Sequence, residues 1–444
     1  MRPVPSLTGF SLVTSLHDPV ILPDHFDSAT AARGRDPSDL ALPTCAIRSA
    51  ELLQRAVSHP LKVAACPHRP ACPGCPRFGS AALAPDAAKT LQRLAELGGL
   101  AAPLVHRGAP LGFRYRARLA IRGRAKNPKL GIFRIGTHQV VHIPHCPIHH
   151  PAINSAAQVI RSALVQHGVA PYSDSAHAGS VRYLQLVVER RTGRVQVVVV
   201  TRDDDHLALA PFFATLVSSL GDSLQGLFWN IQPERSNAIL GPEFRHLAGE
   251  TEIREDFAGA RLFFPPGAFG QSHLDLAERI ALGVAEACPR GARVAEFYSG
   301  VGALGLPLVR QVSRLTCNEI SDASIDGLQL GIRALEPELA ERVQLRPGSA
   351  GSATDLLGQV DLVIVDPPRK GLDRALLEGL LRIPPARLVY VSCGLDALVR
   401  EAQELLSSQL WQLSRLEAYD LFPYTEHVET LAIFDRRGAH GSRA

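Results

Sequence analysis

The feature that most restricts the fold is a beat in the last third of the chain. Four short apolar runs, Val294 to Phe297, Leu315 to Cys317, Leu362 to Val365 and Leu388 to Val391, are separated by segments of helical periodicity. Runs that are apolar on nearly every position, rather than on alternate ones, suit strands covered on both faces. Strands alternating with helices in this way specify an α/β domain, a doubly wound parallel sheet with helices on both sides. Ligands of such sheets gather at the carboxyl ends of the strands, where the chain turns into its helices. This domain is expected over 263–444.

A chain of 444 residues exceeds one ordinary core, so further modules are expected. Phe113 to Ile121, Leu130 to Arg134, Val181 to Glu189 and Val195 to Thr201 read as antiparallel strands, the last two joined by a hairpin over Arg190, Arg191, Thr192 and Gly193. These define a central α+β domain over 61–262. Residues 1–60 are rich in Ala, Pro, Ser and Arg, with one helix expected from Ser49 to Val57, and form an extension without a chemical motif. No apolar run reaches the ~20 residues a membrane span needs, and no export signal is legible. The expectation is therefore a cytoplasmic monomer whose eight cysteines stay reduced.

Reduced cysteines are read by their spacing. Cys66, Cys72 and Cys75 form C-x5-C-x2-C in a loop stiffened by Pro67, Pro70, Pro73 and Pro76, and Cys146 stands apart. Four thiolates suit zinc or an iron–sulfur cluster. One tight triplet with a distant fourth ligand favours [4Fe-4S] over zinc. Cys45, Cys288 and Cys317 have no such company and read as core residues. Arg114, Arg116 and Arg118 would share one strand face, extended by Arg122, Arg124, Lys126 and Lys129. Such a stripe fits either a solvated face or phosphates of single-stranded RNA.

In the C-terminal domain, Glu296-Phe297-Tyr298-Ser299-Gly300-Val301-Gly302 joins the first strand to its helix. Gly300 and Gly302 let backbone approach a ligand, and Glu319, ending the next strand, is placed to accept hydrogen bonds from ribose hydroxyls. An adenosyl cofactor fits, and NAD fits equally well. Asp366-Pro367-Pro368-Arg369-Lys370-Gly371 ends a third strand in a rigid wall, and Ser392-Cys393 ends a fourth. Phe422 to Glu429 then supplies acids and a histidine.

Taken together, the four-cysteine spacing, Phe269-Gly270-Gln271, the glycine loop, the Asp366 segment, Ser392-Cys393 and Phe422 to Glu429 resemble the RNA uridine-5-methyltransferase family over roughly residues 66–435. The resemblance implies a Rossmann-like class I methyltransferase domain beside an RNA-binding domain with an iron–sulfur site held by Cys66, Cys72, Cys75 and Cys146. It implies S-adenosylmethionine as cofactor, Cys393 as nucleophile, Glu429 as base, and cofactor or uracil contacts at Gln271, Tyr298, Gly300, Gly302, Glu319 and Asp366. It also implies large-subunit (23S) ribosomal RNA as substrate, with transfer RNA as the alternative. Several positions depart from the family's common pattern, namely Glu296, Ser299, Ala303, Ser349, His273, Gly394 and Leu395. They cluster on the cofactor side, which leaves a non-catalytic RNA-binding protein as the rival expectation.

Overall fold

The computed structural model describes residues 65–438. The expected extension 1–60, its helix and Cys45 lie outside them. In chain order come α1 (Pro85–Leu97), β1 (Leu104–His106), β2 (Arg116–Arg124), β3 (Asn127–Phe133), β4 (Val140–His142), α2 (Pro151–Gln166), β5 (Val181–Val188), β6 (Val195–Thr201), α3 (His206–Leu220), β7 (Leu224–Ile231) and β8 (Glu243–Gly249). Strands β2 to β8 build a seven-stranded sheet ordered β4-β3-β2-β5-β6-β7-β8. The hairpin expected at Arg190 to Gly193 joins β5 and β6, with Gly193 at φ +72°. The sheet is nevertheless mixed, because β6 and β7 are parallel. A parallel neighbour needs a crossover, and α3 provides it. Its Phe212 and Leu216, with Ile153 and Ile160 of α2, pack on Leu184, Val197, Val199 and Trp229.

After a short hairpin of β9 (Ile253–Phe257) and β10 (Ala260–Phe264) come α4 (Leu274–Ala287), β11 (Arg293–Phe297), β12 (Arg314–Glu319), α5 (Asp322–Arg333), α6 (Pro337–Ala340), β13 (Val343–Pro347), β14 (Leu362–Val365), α7 (Arg374–Arg382), β15 (Arg387–Ser392), α8 (Leu395–Ser407), β16 (Trp411–Tyr419) and β17 (Glu429–Arg436). The second sheet is ordered β1-β16-β17-β15-β14-β11-β12-β13. Strands β11 to β15 are parallel, as the apolar beat requires. Their side chains alternate between two cores. Leu362 and Ile364 join Ile280 of α4 and Leu328 of α5, whereas Val363 and Val365 join Leu377 of α7, Leu398 of α8 and Leu94 of α1. Each such side chain is worth about 1.5–3 kcal/mol when fully buried, which is why neither face is left to solvent.

Two features of this sheet were not expected. Strand β17 runs antiparallel to both β15 and β16, and β1, from far earlier in the chain, adds as a parallel edge strand beside β16. Among the described residues no helix is long and apolar enough to cross a membrane.

Candidate functional site

Strand β11 sits between β12 and β14, so the chain order reverses there and a crevice opens at the carboxyl ends. The loop leaving β11 turns at once: Tyr298, Gly300 and Gly302 have φ of +59°, +57° and +85°. Glycine takes such angles freely, but Tyr298 needs holding. Its hydroxyl accepts a hydrogen bond from the Asp373 amide at 2.8 Å. Glu319 fixes the rest of the loop. One carboxylate oxygen accepts from the Gly300 amide at 2.7 Å, the other from Ile320 at 2.9 Å and Ser321 at 2.8 Å. The Ser299 hydroxyl is buried there without a partner among the described residues, a polar atom left open for a ligand. Gln271 is half-buried in the segment before α4. Ala268 of that segment shares a buried cluster with Val301 and Leu304, which brings it against the glycine loop.

Glu296, which opens the loop, is not exposed to the crevice. It is buried, with the Cys317 thiol donating to it at 3.5 Å, and burial pushes its pKa up to about 8. Cys317 thus has a polar partner that the sequence did not reveal.

The sharper geometry lies one strand further on. In the antiparallel ladder of β15 and β17, Ser392 pairs with Thr430. Continued by one position, that register sets Cys393 opposite Glu429, the closest relation two strands offer. Asp366 follows β14, the neighbour of β15, so thiol and carboxyls share one corner. Glu429 is 0 % exposed, and among the described residues neither of its oxygens has a hydrogen-bond partner. Burial holds its pKa well above the usual carboxylate range, Asp366 adds to the effect, and Arg369 opposes it. Burial likewise raises Asp366 to about 7. Cys393 is half-buried, its thiol pushed up to about 11 by burial and then by Glu429 and Asp366, with Arg369 pulling the other way.

Cys393 opens into a cavity of about 550 Å³ whose lining includes Arg369, Lys370, Arg400, Glu426, His427 and, from α1, Thr90. A side chain at position 394 would place its Cβ 2.5 Å from the Arg369 carbonyl oxygen, so Gly394 is what lets the Asp366 and Cys393 loops close together. Glu401 of α8 braces the first loop, accepting from the Leu372 amide at 3.0 Å and the Tyr390 hydroxyl at 2.7 Å.

The four cysteines also come together. Cys75 and Cys146 are buried, Cys66 and Cys72 partly so, and all are free thiols. Burial pushes Cys75 up to about 12, and the Cys146, Cys72 and Cys66 thiols add to this. As thiolates the four would repel one another, so burial and proximity keep them protonated unless a bound cation holds them ionised. Among the described residues, however, no group of three or more His, Cys, Asp or Glu stands arranged to hold a metal ion.

Arg114 approaches Cys146 and Cys75 from one side, its Nε buried and without a hydrogen-bond partner among the described residues. Its backbone is bonded both to the Cys146 turn, through Ile148 and His150, and, via the Tyr115 amide, to Ser272 beside Gln271. The expected basic stripe is therefore split: Arg114, Arg116 and Arg122 turn inward. Arg116 lies over the Phe264 ring at 4.4 Å, and buried Arg122 forms an ion pair with Asp174 at 2.7 Å. Arg118, Arg124, Lys126 and Lys129 remain exposed.

Arg369, Glu401 and Tyr424 were missed as site-building residues. Arg369 and Tyr424 lie inside quoted motifs, so only their roles were lacking. Nothing in the sequence distinguishes Glu401 from a solvated helix acid.

Residues 355–437 match the family model described as tRNA (Uracil-5-)-methyltransferase. An uncharacterized RNA methyltransferase of Protochlamydia amoebophila is 36% identical over 377 residues, covering 84% of this chain and 97% of that protein. Another from Nostoc sp. is 31% identical over 353 residues, covering 78% and 76%. Among solved structures, the tRNA (uracil-54, C5)-methyltransferase of Pyrococcus abyssi in complex with S-adenosyl-L-homocysteine superposes with a TM-score of 0.65 at 23% identity, covering 79% of this chain and 83% of that one. The last likeness is one of fold.

Proposed function

The chain belongs to the S-adenosylmethionine-dependent RNA uracil-5-methyltransferase family, and from that premise we propose that it methylates carbon 5 of a uridine in large-subunit ribosomal RNA with Cys393 as covalent nucleophile. The observation that carries this reading is that a half-buried thiol, Cys393, and a fully buried carboxyl without a hydrogen-bond partner among the described residues, Glu429, adjoin the last pair of one β-ladder and act on each other.

Carbon 5 of uracil is a weak nucleophile. Addition of the Cys393 thiolate at carbon 6 makes the ring an enolate whose carbon 5 can attack an electrophile. Bound S-adenosylmethionine supplies the electrophilic methyl group, and Gln271, Tyr298, Gly300, Gly302, Glu319 and Asp366 are the residues that would hold it or the uracil. The open Ser299 hydroxyl and the tight glycine loop fit such a ligand. With a thiol pKa of about 11, roughly one molecule in 10⁴ carries the thiolate at pH 7 in the resting site. Arg369 is the neighbour that favours ionisation, as it also does for Glu429. A Glu429 carboxylate in that buried position is a strong base. It takes the carbon 5 proton, the pair from that bond restores the carbon 5–carbon 6 double bond, and the Cys393 sulfur leaves as thiolate. The uridine must leave any stacked helix to reach the cavity.

Cys66, Cys72, Cys75 and Cys146 would hold the [4Fe-4S] cluster, whose iron would stabilise their thiolate forms and cross-link the loop to the Cys146 turn. The resemblance of the four-cysteine spacing to the cluster-bearing branch of the family is what favours a ribosomal target. The family model's own description favours transfer RNA as the second reading. Methylation of purified 23S ribosomal RNA and of bulk transfer RNA, each made without uridine-5 methylation, decides between them. Labelled methyl groups should enter the ribosomal RNA at one uridine. Incorporation into transfer RNA alone would reject the ribosomal assignment.

A further inference from the structure

The cysteine loop and the segment that delivers Glu429 are far apart in sequence and in direct contact in space. The Arg77 amide, two residues after Cys75, donates to the Tyr424 carbonyl at 3.1 Å. The Phe78 ring packs on the Tyr424 ring with centroids 4.8 Å apart. Tyr424 is buried in the same apolar cluster as Cys75 and Cys146. Its φ of +69° lies in the left-handed region, which a bulky residue occupies only when its surroundings impose it. From there the chain folds back on itself, the Thr425 hydroxyl donating to the Phe422 carbonyl at 2.7 Å and the His427 amide to the Thr425 hydroxyl at 3.2 Å. Glu426, His427 and Val428 then line the Cys393 cavity, and β17 begins at Glu429.

We propose that Tyr424 is a positioning residue through which the four-cysteine loop fixes the Phe422 to Val428 segment and, with it, the carboxyl of Glu429. The inference rests on Glu429 being the base of the proposed reaction. It gives the cysteine loop a task in that reaction although no cysteine of it reaches the cavity. Because methyl transfer precedes removal of the carbon 5 proton, a displaced carboxyl leaves the methylated uridine attached to Cys393.

The test follows protein–RNA adducts on denaturing gels, with ordinary uridine RNA and with 5-fluorouridine RNA, alongside methylated product. Fluorine at carbon 5 cannot be removed as a proton, so trapping there does not need the base. Tyr424→Ala should accumulate adduct on ordinary RNA and release product on the order of 10- to 100-fold more slowly, while still trapping 5-fluorouridine. Phe78→Ala, which removes the same contact from the cysteine loop, should do likewise. Tyr424→Phe, which keeps the ring, should release product as the native protein does. Native release rates in both Tyr424→Ala and Phe78→Ala, with the fluorinated adduct intact, would overturn the positioning role. A Tyr424→Phe defect as deep as that of Tyr424→Ala would overturn it as well, because the ring contact would then not be what matters. Absence of the fluorinated adduct from the native protein would overturn the covalent reading itself, and the proposal with it.

Discussion

Two glutamates at strand ends of the same sheet are treated in opposite ways. Glu319, after β12, spends its carboxylate on the amides of Gly300, Ile320 and Ser321, and so builds the glycine loop. Glu429, opening β17, is more deeply enclosed, yet both its oxygens lack partners among the described residues. A buried carboxyl without hydrogen bonds costs stability, about 1–3 kcal/mol for the missing partners alone. The fold tolerates that cost beside the half-buried Cys393. The difference separates an acid that serves as scaffold from one kept available for proton transfer.

The comparison can be broken at either end. The largest effect is expected from Cys393→Ala, which should lower methyl incorporation by about 10⁴-fold or more, measured as label transferred per enzyme. Glu429→Gln keeps the shape and removes the base, so turnover on ordinary RNA should fall by roughly 10²- to 10⁴-fold with adduct accumulating. Its stability should move the opposite way. Because burial raises the folded-state pKa of Glu429, the native protein loses stability as pH climbs from the unfolded carboxylate range towards that raised value. Glu429→Gln escapes this loss, so its melting-temperature advantage should be nil near pH 4 and grow towards pH 8. Glu319→Gln should instead be destabilised, by about 1.5–3 kcal/mol, through loss of charge-assisted bonds to the Gly300, Ile320 and Ser321 amides. It should also bind S-adenosylmethionine more weakly by calorimetry. A stabilised Glu319→Gln or a destabilised Glu429→Gln at pH 8 would remove the contrast.

A smaller effect concerns the thiol. With its pKa at about 11, alkylation of Cys393 by iodoacetamide in the free protein should quicken about tenfold per pH unit between 7 and 10. Glu429→Gln should raise the rate at the alkaline end of the range, where the native Glu429 is ionised and opposes ionisation of the thiol. A plateau below pH 8 in the native protein would mean that the resting thiol is already activated.

The sequence made the parallel strands legible because burial on two faces writes itself as continuous apolar runs, as in Leu362 to Val365. The glycine loop was legible for the same local reason. The neighbourhood of Cys393 and Glu429 was not, since it follows from a ladder whose second strand shows no parallel-sheet signal. It entered only through family resemblance. Side-chain direction was the hardest to read. Of the stripe expected from Arg114, Arg116 and Arg118 and extended by Arg122, Arg124, Lys126 and Lys129, three members turn inward, Arg114 towards the thiols, Arg116 over Phe264 and Arg122 to Asp174, while the other four stay exposed. Strand β1 and helix α1, which close the far edge and one face of the C-terminal sheet, were hidden because three residues of strand and an amphipathic helix do not announce which sheet they join.

The central claim is that Cys393 attacks the uracil while Glu429 waits to complete the reaction. The most direct measurement incubates the protein with S-adenosylmethionine and RNA carrying 5-fluorouridine, then resolves the mixture on a denaturing gel and maps the linkage by mass spectrometry. The account predicts a stable adduct joined through Cys393, absent from Cys393→Ala and retained in Glu429→Gln. Uridine methylation that persists in Cys393→Ala with no adduct at any stage would contradict it.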